Sequence, residues 1–391
     1  MARVCMVVFN GYVSDSRVRR EAEALVERGD SVDCICLSPK NIPHLAGVRL
    51  FSFGRAKYYG TNRILLVIRY VQFFLYAFTK LSIEHLRNPY DIVQAHTMPD
   101  FLIFTAIVPK LFGAKLVLDM HDLMPELYVA KYGSSRSKWL VAFIKWMERR
   151  SVAFADRAIA EHKPHLDVIV EHGNPRAKFS LLLNVADNRI FSRRSRPKHR
   201  DKEFRLLYHG TLPKRAGLDV ALRAVARARN EVPNIRFEIL GRGECANVLR
   251  TLVKDLNLTD CVEWSAGVPV EKLPAIIDRA DIGVVPYSAN AFTRYVLPTK
   301  LMEYVATCLP AIVSRLPSVE AYFDPEMVAY FEPGNDAELA AQIVRLYRNP
   351  ELAERYASNA ERFTETYNWP RQKQVYFQLV DSLVPSQRFR G

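Results

Sequence analysis

Residues 3–37, RVCMVVFNGYVSDSRVRREAEALVERGDSVDCICL, contain the strand–helix–strand pattern that decides the fold class. The apolar runs at 3–9 and 31–37 have the length of buried strands, and apolar and charged residues have helical spacing between them. Short apolar strands that alternate with longer helical patterns are typical of βαβ units and a parallel sheet. The stretch therefore predicts the start of an α/β domain.

The same pattern recurs along both halves of the chain. Further strands are predicted at 91–96, 115–121, 157–162, 204–210, 236–243, 281–287 and 310–314. A length of 391 residues is large for a single hydrophobic core. We therefore predict an α/β protein with two Rossmann-like, doubly wound domains.

A change in composition predicts the domain boundaries. From 186 to 204, polar and basic residues replace the apolar rhythm, as is typical of an interdomain linker. The predicted domains are 1–188 and 204–369, joined by a basic linker at 189–203. A last helical segment, 370–391, is predicted to cross back onto the first domain.

The composition has a strong basic excess. Lys and Arg total 55 residues against 42 Asp and Glu, so the net charge is +13. Such an excess favours anionic partners, but the basic residues form no nucleic-acid-reading module, and we predict no nucleic-acid partner. The six cysteines are scattered through apolar segments, which predicts reduced thiols in a cytoplasmic protein and no metal site.

The longest apolar segment is ILLVIRYVQFFLYAF at 64–78. It is interrupted by Arg69 and Gln72 and falls short of the ~20 residues that a spanning helix needs, so we predict no membrane crossing. Basic and aromatic residues interleave at 55–80 and 134–150, a pattern that suits helices lying on an anionic bilayer. The alternative is that both segments pack against the first sheet. We expect a cytoplasmic protein, peripheral on the cytoplasmic face of the membrane.

Two loops in the second half suit a bound diphosphate. Gly210 ends a predicted strand and is followed by the cation Arg215 just before a helix. Gly241 and Gly243 stand between the next strand and helix. Glycines allow close approach, and a fixed cation near a helix start favours an anion. The loop after the first strand lacks the G-x-G-x-x-G pattern of dinucleotide sites.

These segments resemble the nucleotide-sugar-dependent glycosyltransferases of the GT-B fold, family 4, which are usually retaining enzymes. The resemblance spans nearly the whole chain. It rests on the order and spacing of eight segments: DSRVRREAEALVERG, DIVQAH, LVLDMHDLMPE, LLLNVADNRIF, HGTLPKRAGLD, EILGRGE, VEWSAGVPVEKLPAIIDRADIGVVPY and LPTKLMEYVATCLPAIVS. It implies that the two domains face each other across a cleft, with the acceptor bound by the first domain and the donor by the second.

The resemblance also assigns roles to residues. The implied donor-binding residues are Gly210, Thr211, Arg215, Gly241, Gly243, Val268, Arg294, Leu297, Pro298, Thr299, Lys300 and Glu303. The candidate acceptor-binding residues are Asn10, Gly11, Asp15, His96 and Asp100. The implied catalytic residues are His121, beside the donor sugar, and Arg215 and Lys300, which hold the diphosphate.

Glu303 matches the second acid of the family's Glu-x7-Glu motif, which accepts hydrogen bonds from the nucleotide ribose. Pro298 suits the first turn of a helix, so the N–H groups near Thr299 and Lys300 are predicted to face the diphosphate. One helical turn, about 5.4 Å, separates them from Glu303 and suits the distance between diphosphate and ribose.

The chain departs from the family at two positions. Tyr295 stands where the first acid of the motif contacts the transferred sugar. Thr211 stands where arginine is frequent, and Arg294 or Lys300 is expected to supply the missing diphosphate contact.

The implied function is transfer of a sugar from a UDP- or GDP-sugar to a glycan acceptor, lipid-linked, in cell-surface polysaccharide or glycolipid biosynthesis. In a retaining transfer the leaving phosphate takes the acceptor proton, and cations replace a metal, so no cofactor is expected. Two alternatives remain open: a noncatalytic subunit with this fold that binds nucleotide sugar or glycan, and a nucleotide-sugar 2-epimerase.

Overall fold

The computed structural model describes residues 1–37, 47–55, 63–133, 138–193 and 203–384. The chain forms two compact units. The first comprises Met1–Asn184 and Pro370–Gly391, and the second comprises Val185–Trp369. Most of the linker predicted at 189–203 lies outside the described residues, as do the last seven positions of the segment predicted at 370–391.

The first unit is built on a seven-stranded parallel sheet. Its strands are β1 (Arg3–Val8), β2 (Ser31–Cys36), β3 (Val48–Ser52), β4 (Ile92–His96), β5 (Lys115–Met120), β6 (Arg157–Ala160) and β7 (Phe179–Leu181). Their order is β3-β2-β1-β4-β5-β6-β7. The helices between them are α1 (Ser16–Glu27), α2 (Arg63–Arg87), α3 (Ile107–Leu111), α4 (Met124–Tyr132), α5 (Lys138–Phe154) and α6 (Lys163–Glu171), with 3-10 helices at Asp100–Ala106 and Arg176–Lys178.

The second unit is built on a six-stranded parallel sheet. Its strands are β8 (Phe204–His209), β9 (Ile235–Leu240), β10 (Val262–Ser265), β11 (Ile282–Val285), β12 (Ala311–Ser314) and β13 (Ala329–Phe331), in the order β10-β9-β8-β11-β12-β13. Its helices are α7 (Leu218–Ala228), α8 (Ala246–Asp255), α9 (Leu273–Ile277), α10 (Thr299–Ala306), α11 (Pro317–Glu320), α12 (Asp336–Arg348) and α13 (Pro350–Thr366). Single 3-10 turns lie at Lys214–Ala216, Val270–Lys272 and Thr293–Tyr295.

The strands are apolar because helices cover both faces of a doubly wound sheet. Every residue of β4 and all but the first of β1, β2 and β5 are buried. The neighbouring strands of each sheet are all parallel. The predicted α/β class with two Rossmann-like parallel sheets is confirmed.

The last helix, α14 (Trp369–Leu383), carries residues of the first unit's core. Tyr376, Leu379 and Val380 are buried in one cluster with residues of β1 and α1. The Tyr376 hydroxyl also donates to the side-chain oxygen of Gln94 on β4 at 2.7 Å. These contacts tie the end of the chain to the first sheet.

Helix α2 is longer than the apolar segment at 64–78, because helical structure continues to Arg87. Its stretch Ile64–Arg87 is, by length and composition alone, long and apolar enough to cross a membrane. Within the described ranges it is the one helix that meets those criteria. The prediction that this segment is too short to span a membrane is therefore wrong about its length.

One face of α2 nevertheless belongs to the first unit's core. Phe73, Ala77 and Leu81 are fully buried. The ring of Phe73 lies 5.2 Å from that of Phe9, just after β1, and 5.9 Å from that of Phe53, just after β3. The apolar composition of α2 thus serves packing on one side, while the other side stays exposed.

Candidate functional site

Two glycine loops meet at the carboxyl ends of β8 and β9. The Gly210 N–H donates to the Leu240 carbonyl at 3.0 Å, and the Leu212 N–H donates to the Arg242 carbonyl at 3.1 Å. A Cβ added at Gly241 would lie 1.9 Å from the Gly210 carbonyl oxygen, closer than any side chain can approach. The loops can therefore adopt this arrangement only with glycine at 241.

A stability effect follows from this contact. We expect Gly241→Ala to lower the free energy of unfolding by about 1–3 kcal/mol, because the backbone of the Gly210 loop must move away from the new methyl group. Gly267→Ala is the matched control, since a Cβ there meets nothing within 4 Å. Urea unfolding measures both variants, and equal losses would contradict the close contact.

Lys300 reaches over the first of these loops from the start of α10. A Cβ at Gly210 would lie 3.3 Å from Lys300 Cε, and the lysine is only 8% exposed. Its ammonium donates to the Tyr287 hydroxyl at 2.9 Å and lies 4.7 Å from the centroid of the Tyr208 ring. Burial alone lowers the pKa of Lys300, but its contacts with the two tyrosines and the charge of Glu303 outweigh this and hold the pKa above its usual value. Among the described residues, no carboxylate lies within ion-pair distance of this buried cation.

Glu303 lies one turn further along α10, beside His209 at the end of β8. His209 Nε2 is 3.3 Å from Glu303 Oε2. Burial and the nearby charge of Lys300 lower the pKa of His209 to about 3, so the imidazole is neutral at pH 7. Tyr304 supports this pair, since its hydroxyl donates to the Leu207 carbonyl at 3.0 Å and its ring meets that of His209 edge-on.

Arg215 lies beside the segment that follows β11. Its carbonyl accepts the Ser288 N–H at 3.1 Å, and its guanidinium lies 5.3 Å from the centroid of the Phe292 ring. Gly217, with φ of 66°, makes this possible, since a Cβ there would lie 1.7 Å from the Pro286 carbonyl oxygen. The start of α7 is therefore packed directly against this segment.

The other predicted donor residues surround these groups less closely. Thr211 accepts a hydrogen bond from the Tyr208 hydroxyl through its carbonyl at 2.7 Å. Pro298 precedes α10 as its N-cap, and Thr299 is its first residue. The Arg294 guanidinium lies over the Tyr295 ring, the Leu297 side chain is buried, and Val268 is an exposed loop residue. Gly243 packs against the backbone of Leu212, where a Cβ would clash at 2.6 Å.

In the first unit, three side chains meet at the ends of β4 and β5. Asp119 Oδ2 lies 2.9 Å from His96 Nδ1 and 2.7 Å from His121 Nε2, and the two ring nitrogens are 3.4 Å apart. An ionised carboxylate only accepts hydrogen bonds, so each ring donates an N–H to it. The side chains of His96 and Asp119 are fully buried, while that of His121 is 17% exposed. The ligand atoms all lie within 4.8 Å of one another, a spacing that could also hold a metal ion.

Arg17 of α1 fixes the charge of this cluster. Its Nη2 lies 3.1 Å from Asp119 Oδ1. Burial alone raises the pKa of Asp119, but the charges of Arg17 and His121 outweigh it and hold the pKa well below its usual range. Burial alone lowers the pKa of His121, but the charge of Asp119 outweighs it and raises the pKa above the ordinary value.

The loop before α1 borders the same cluster. Asp15 caps α1 by accepting the Val18 N–H at 3.2 Å, and Asn10 donates to Asp15 at 2.9 Å. Gly11 closes the turn through its carbonyl, which accepts the Asp15 N–H at 3.1 Å. Burial raises the pKa of Asp15, but the charge of His121 and the hydrogen bond from Asn10 outweigh it and lower the pKa. The structure therefore brings Asn10, Gly11 and Asp15 to the histidine cluster.

Asp100 has a different environment from the other predicted acceptor residues. It is 2% exposed, and its Oδ1 has no hydrogen-bond partner in the part of the chain that the structure describes. Burial, followed by the charges of Glu148 and Asp122, raises its pKa well above the usual value. Its side chain is thus buried and closed off from solvent, whereas that of His121 is partly exposed.

The sequence interpretation gave no site role to several residues of both clusters: Arg17, Asp119, Glu161, His209 and Tyr287. Glu161 directly follows β6, so it continues the row of polar strand ends beside His121. Burial raises its pKa to about 7, against the lowering effect of Arg17. The position of Glu161 at a strand end could have identified it as a site residue from the sequence. Arg17 could not have been identified in this way, because its spacing is that of an ordinary helix face.

Two family models match consecutive parts of the chain. Residues 14–184 match the glycosyl transferase 4-like domain, and residues 190–363 match glycosyl transferases group 1. Together the two matches extend over nearly the whole chain.

Curated relatives resemble parts of the chain. It is 28% identical over 171 residues to the putative colanic acid biosynthesis glycosyltransferase WcaL of Escherichia coli strain K12, covering 44% of this chain and 42% of that protein. It is 29% identical over 144 residues to the amylovoran biosynthesis glycosyltransferase AmsK of Erwinia amylovora, covering 36% of this chain and 35% of that protein. The matches thus span about two fifths of the length of these relatives.

Solved structures share the fold over the full length. Sucrose-phosphate synthase from Thermosynechococcus elongatus has a TM-score of 0.81 at 17% identity, covering 98% of this chain and 99% of that one. WaaG, a glycosyltransferase involved in lipopolysaccharide biosynthesis, has a TM-score of 0.72 at 16% identity, with coverage of 98% and 100%. At such identities the likeness establishes the fold alone.

Proposed function

The chain belongs to the group 1 glycosyltransferases of the GT-B fold, and from this we propose that it transfers a sugar from a nucleotide sugar to a glycan acceptor in polysaccharide biosynthesis. The observation that carries the proposal is Lys300, a buried cation without a carboxylate partner among the described residues, beside the Gly210 loop. Burying an unpaired charge is costly, so such a cation is expected to pair with a bound anion. The names of WcaL and AmsK support the biosynthetic setting.

The donor diphosphate is proposed to bind at the start of α10. The Pro298 side chain offers no cap hydrogen bond, and within the described ranges the N–H groups of Thr299 and Lys300 are available to meet phosphate oxygens. Lys300 adds a full positive charge at the same point, and the glycine loop lets the diphosphate approach the backbone. Arg215, in the 3-10 turn just before α7, is the second proposed cation.

The nucleotide ribose is proposed to bind at Glu303. The carboxylate lies one turn beyond Lys300 on the same helix, and His209, 3.3 Å away, is neutral and does not cancel its charge. A ribose with two hydroxyl donors suits such an acceptor. HepE of Anabaena has been solved with UDP and glucose, and we propose UDP or GDP for this chain.

Glu303→Gln is expected to weaken nucleotide-sugar binding by about 10- to 100-fold, because charge-assisted hydrogen bonds contribute about 1.5–3 kcal/mol. Calorimetric titration measures the dissociation constant for the best ligand from a panel of UDP-, GDP- and dTDP-sugars. Glu365→Gln, an exposed acid of α13, is the matched control and should bind as the unchanged protein does. Equal affinities for the two variants would place the ribose elsewhere.

The proposed transfer retains configuration at the anomeric carbon. The acceptor hydroxyl attacks from the face that the nucleoside diphosphate leaves, and the leaving phosphate takes the hydroxyl proton. Lys300 and Arg215 balance the charge that develops on the diphosphate, so we infer no metal requirement for transfer. The exposed edge of His121 is the group proposed to contact a sugar hydroxyl in the first unit.

The overall proposal is tested by following release of nucleoside diphosphate from the bound donor in the presence of lipid-linked and free glycan acceptors. Release that depends on an acceptor, with a new glycosidic product, is the expected result. Binding without turnover would favour the noncatalytic subunit. Interconversion of the free nucleotide sugar would favour the 2-epimerase.

The acceptor is proposed to be lipid-linked because the first unit has a broad exposed apolar face, here called the outer apolar face. Its members are Ile64, Val67, Ile68, Val71 and Leu75 on α2, Leu111 and Phe112 at the end of α3, and Trp139, Phe143 and Trp146 on α5. Helix α2 packs on α3 and on the 3-10 helix at Asp100–Ala106, which also contacts α5. Basic residues of α5, Lys138, Arg149 and Arg150, are exposed on the same helix as the tryptophans. Such a face suits the cytoplasmic surface of an anionic bilayer.

We expect the protein to float with liposomes that contain anionic phosphatidylglycerol and to stay at the bottom of the gradient with neutral phosphatidylcholine alone, because both charge and apolar contact contribute. The double change Trp139→Ser with Trp146→Ser should abolish flotation. Val248→Ser removes an apolar side chain that is 70% exposed in the second unit and should have no effect. Flotation that survives the tryptophan changes would locate the membrane contact elsewhere.

A further inference from the structure

We propose that His96, Asp119 and His121, in the first unit, form a binding site for one divalent transition-metal ion of the zinc class. Two imidazoles and one carboxylate are ligands that zinc accepts, and a site with three protein ligands leaves a fourth position for water. The transfer reaction itself is not proposed to use this ion.

The distances fit such an ion with a small adjustment. Zinc bonds of about 2.0–2.1 Å in a tetrahedral site place neighbouring ligand atoms roughly 3.3 Å apart. His96 Nδ1 and His121 Nε2 are already 3.4 Å apart. The Asp119 oxygen lies 2.7 Å and 2.9 Å from these nitrogens, so it would have to withdraw by only ~0.5 Å. The two N–H groups that now bond Asp119 give up their protons, either to the other ring nitrogen or to solvent.

The framework around the three ligands is rigid. The Thr97 N–H donates to the Asp119 carbonyl at 3.0 Å, and the His121 N–H donates to the Thr97 hydroxyl at 2.9 Å. These bonds fix the end of β5 to the end of β4. Arg17 Nη2 lies 3.1 Å from the other Asp119 oxygen, an ion-pair contact with the carboxylate from outside the ligand set.

The local charge also favours a cation. Arg17 is the one guanidinium in contact with Asp119 among the described residues, and it lies 3.5 Å from Glu21 and 4.0 Å from Glu161 as well. Three carboxyl groups, those of Asp119, Glu21 and Glu161, therefore lie within 4.0 Å of one guanidinium at the strand ends.

Two further features separate this cluster from an ordinary buried hydrogen-bond network. His96 Nε2 is buried and has no hydrogen-bond partner in the described ranges, so it can take the proton that Nδ1 gives up when it binds a metal ion. The cluster is also accessible to solvent from one side, because the side chain of His121 is 17% exposed whereas those of His96 and Asp119 are fully buried. An ion can enter beside His121 and keep water as its fourth ligand.

The consequence for activity rests on the proposed function. An ion on His121 Nε2 would fix the ring and place two positive charges where the acceptor meets the first unit. We therefore expect bound zinc to inhibit sugar transfer while nucleotide-sugar binding in the second unit stays unchanged.

The experiment titrates tag-free full-length protein with ZnCl2 by calorimetry and with CoCl2 by absorption spectroscopy. One ion per chain is expected, with cobalt bands typical of tetrahedral nitrogen and oxygen ligands and no thiolate charge-transfer band. His96→Asn and His121→Gln should each weaken zinc binding at least 10- to 100-fold, the loss typical of removing even an outer partner. His209→Gln, in the second unit, should bind zinc as the unchanged protein does.

Circular dichroism and melting curves check that each variant is folded, and the titrations of the unchanged protein decide the question without any variant. Absence of zinc binding at 100 µM, a thiolate spectrum, or variants that bind as tightly as the unchanged protein would each overturn the site. Failure of the proposed function has a different signature: zinc binds with these ligands, but no nucleotide sugar does.

Discussion

Lys300→Ala is expected to reduce nucleotide-sugar affinity by about 100-fold or more. Removing one partner of a buried, hydrogen-bonded charge pair costs about 2–5 kcal/mol, and each 1.4 kcal/mol is tenfold in affinity. The donor diphosphate is the proposed anionic partner of this lysine, which has no carboxylate within ion-pair distance among the described residues. Calorimetric titration of the preferred nucleotide sugar measures the loss.

The same change should leave the fold intact, which distinguishes a ligand-binding cation from a structural one. Among the described residues, Lys300 forms no ion pair, so its removal leaves no buried carboxylate without a partner. Lys254→Ala, at an exposed lysine of α8, is the matched control and should change neither affinity nor stability. If Lys300→Ala binds donor normally but melts at a much lower temperature, its role is structural.

His172→Ala is expected to lower the stability of the first unit by about 3–5 kcal/mol, the usual cost of breaking a buried ion pair. His172 Nδ1 lies 3.0 Å from Glu148 Oε1, and its Nε2 lies 3.1 Å from Glu126 Oε1. Glu148 is fully buried, so it would lose its cationic partner without access to water. Urea unfolding followed by circular dichroism measures the loss. Glu148→Gln added to His172→Ala should restore part of it, because the buried carboxylate is then gone.

The pH dependence of this contribution has a definite sign. Burial alone lowers the pKa of His172, but the hydrogen bonds and charges of Glu126 and Glu148 outweigh it and raise the pKa to about 9. A raised pKa stabilises the folded protein fully below the unfolded value near 6.5, and the contribution is lost as the pH rises through 9. The shift corresponds to about 3 kcal/mol. The difference in unfolding free energy between the protein and His172→Ala should therefore shrink between pH 6 and pH 10, and a constant difference would contradict the assignment.

The interior strands of both sheets were predictable, and the edge strands were not. Strands β1, β2, β4, β5 and β6, and β8, β9, β11 and β12, coincide with the predicted apolar runs. The four strands that the sequence interpretation missed, β3, β7, β10 and β13, are the outermost strands of the two sheets. An interior parallel strand is buried on both faces and reads as a continuous apolar run, whereas β3, β7 and β10 are half-exposed. Strand β13 is buried but has only three residues, too few for a recognisable run. The apolar sequence pattern is weaker in an exposed edge strand because fewer of its side chains are buried.

The surroundings of helix α2 also could not be predicted from the sequence. Its composition is apolar around most of its circumference, so periodicity alone does not distinguish a core helix, a membrane span and a surface helix. The structure assigns one face, with Phe73 and Leu81, to the core and leaves the rest exposed.

By itself, the sequence determined the fold class, the family and the donor-side motif. Strand alternation is a local property, and the residues around Lys300 and Glu303 follow one another on a single helix, so their spacing is written directly in the chain. Only the tertiary structure decided which groups face them. The neutral His209 beside Glu303 comes from β8, 94 positions away, and the Arg17–Asp119 pair joins α1 to β5. Such pairs depend on strand order and register across a folded sheet, and no local pattern of apolar and polar residues encodes them.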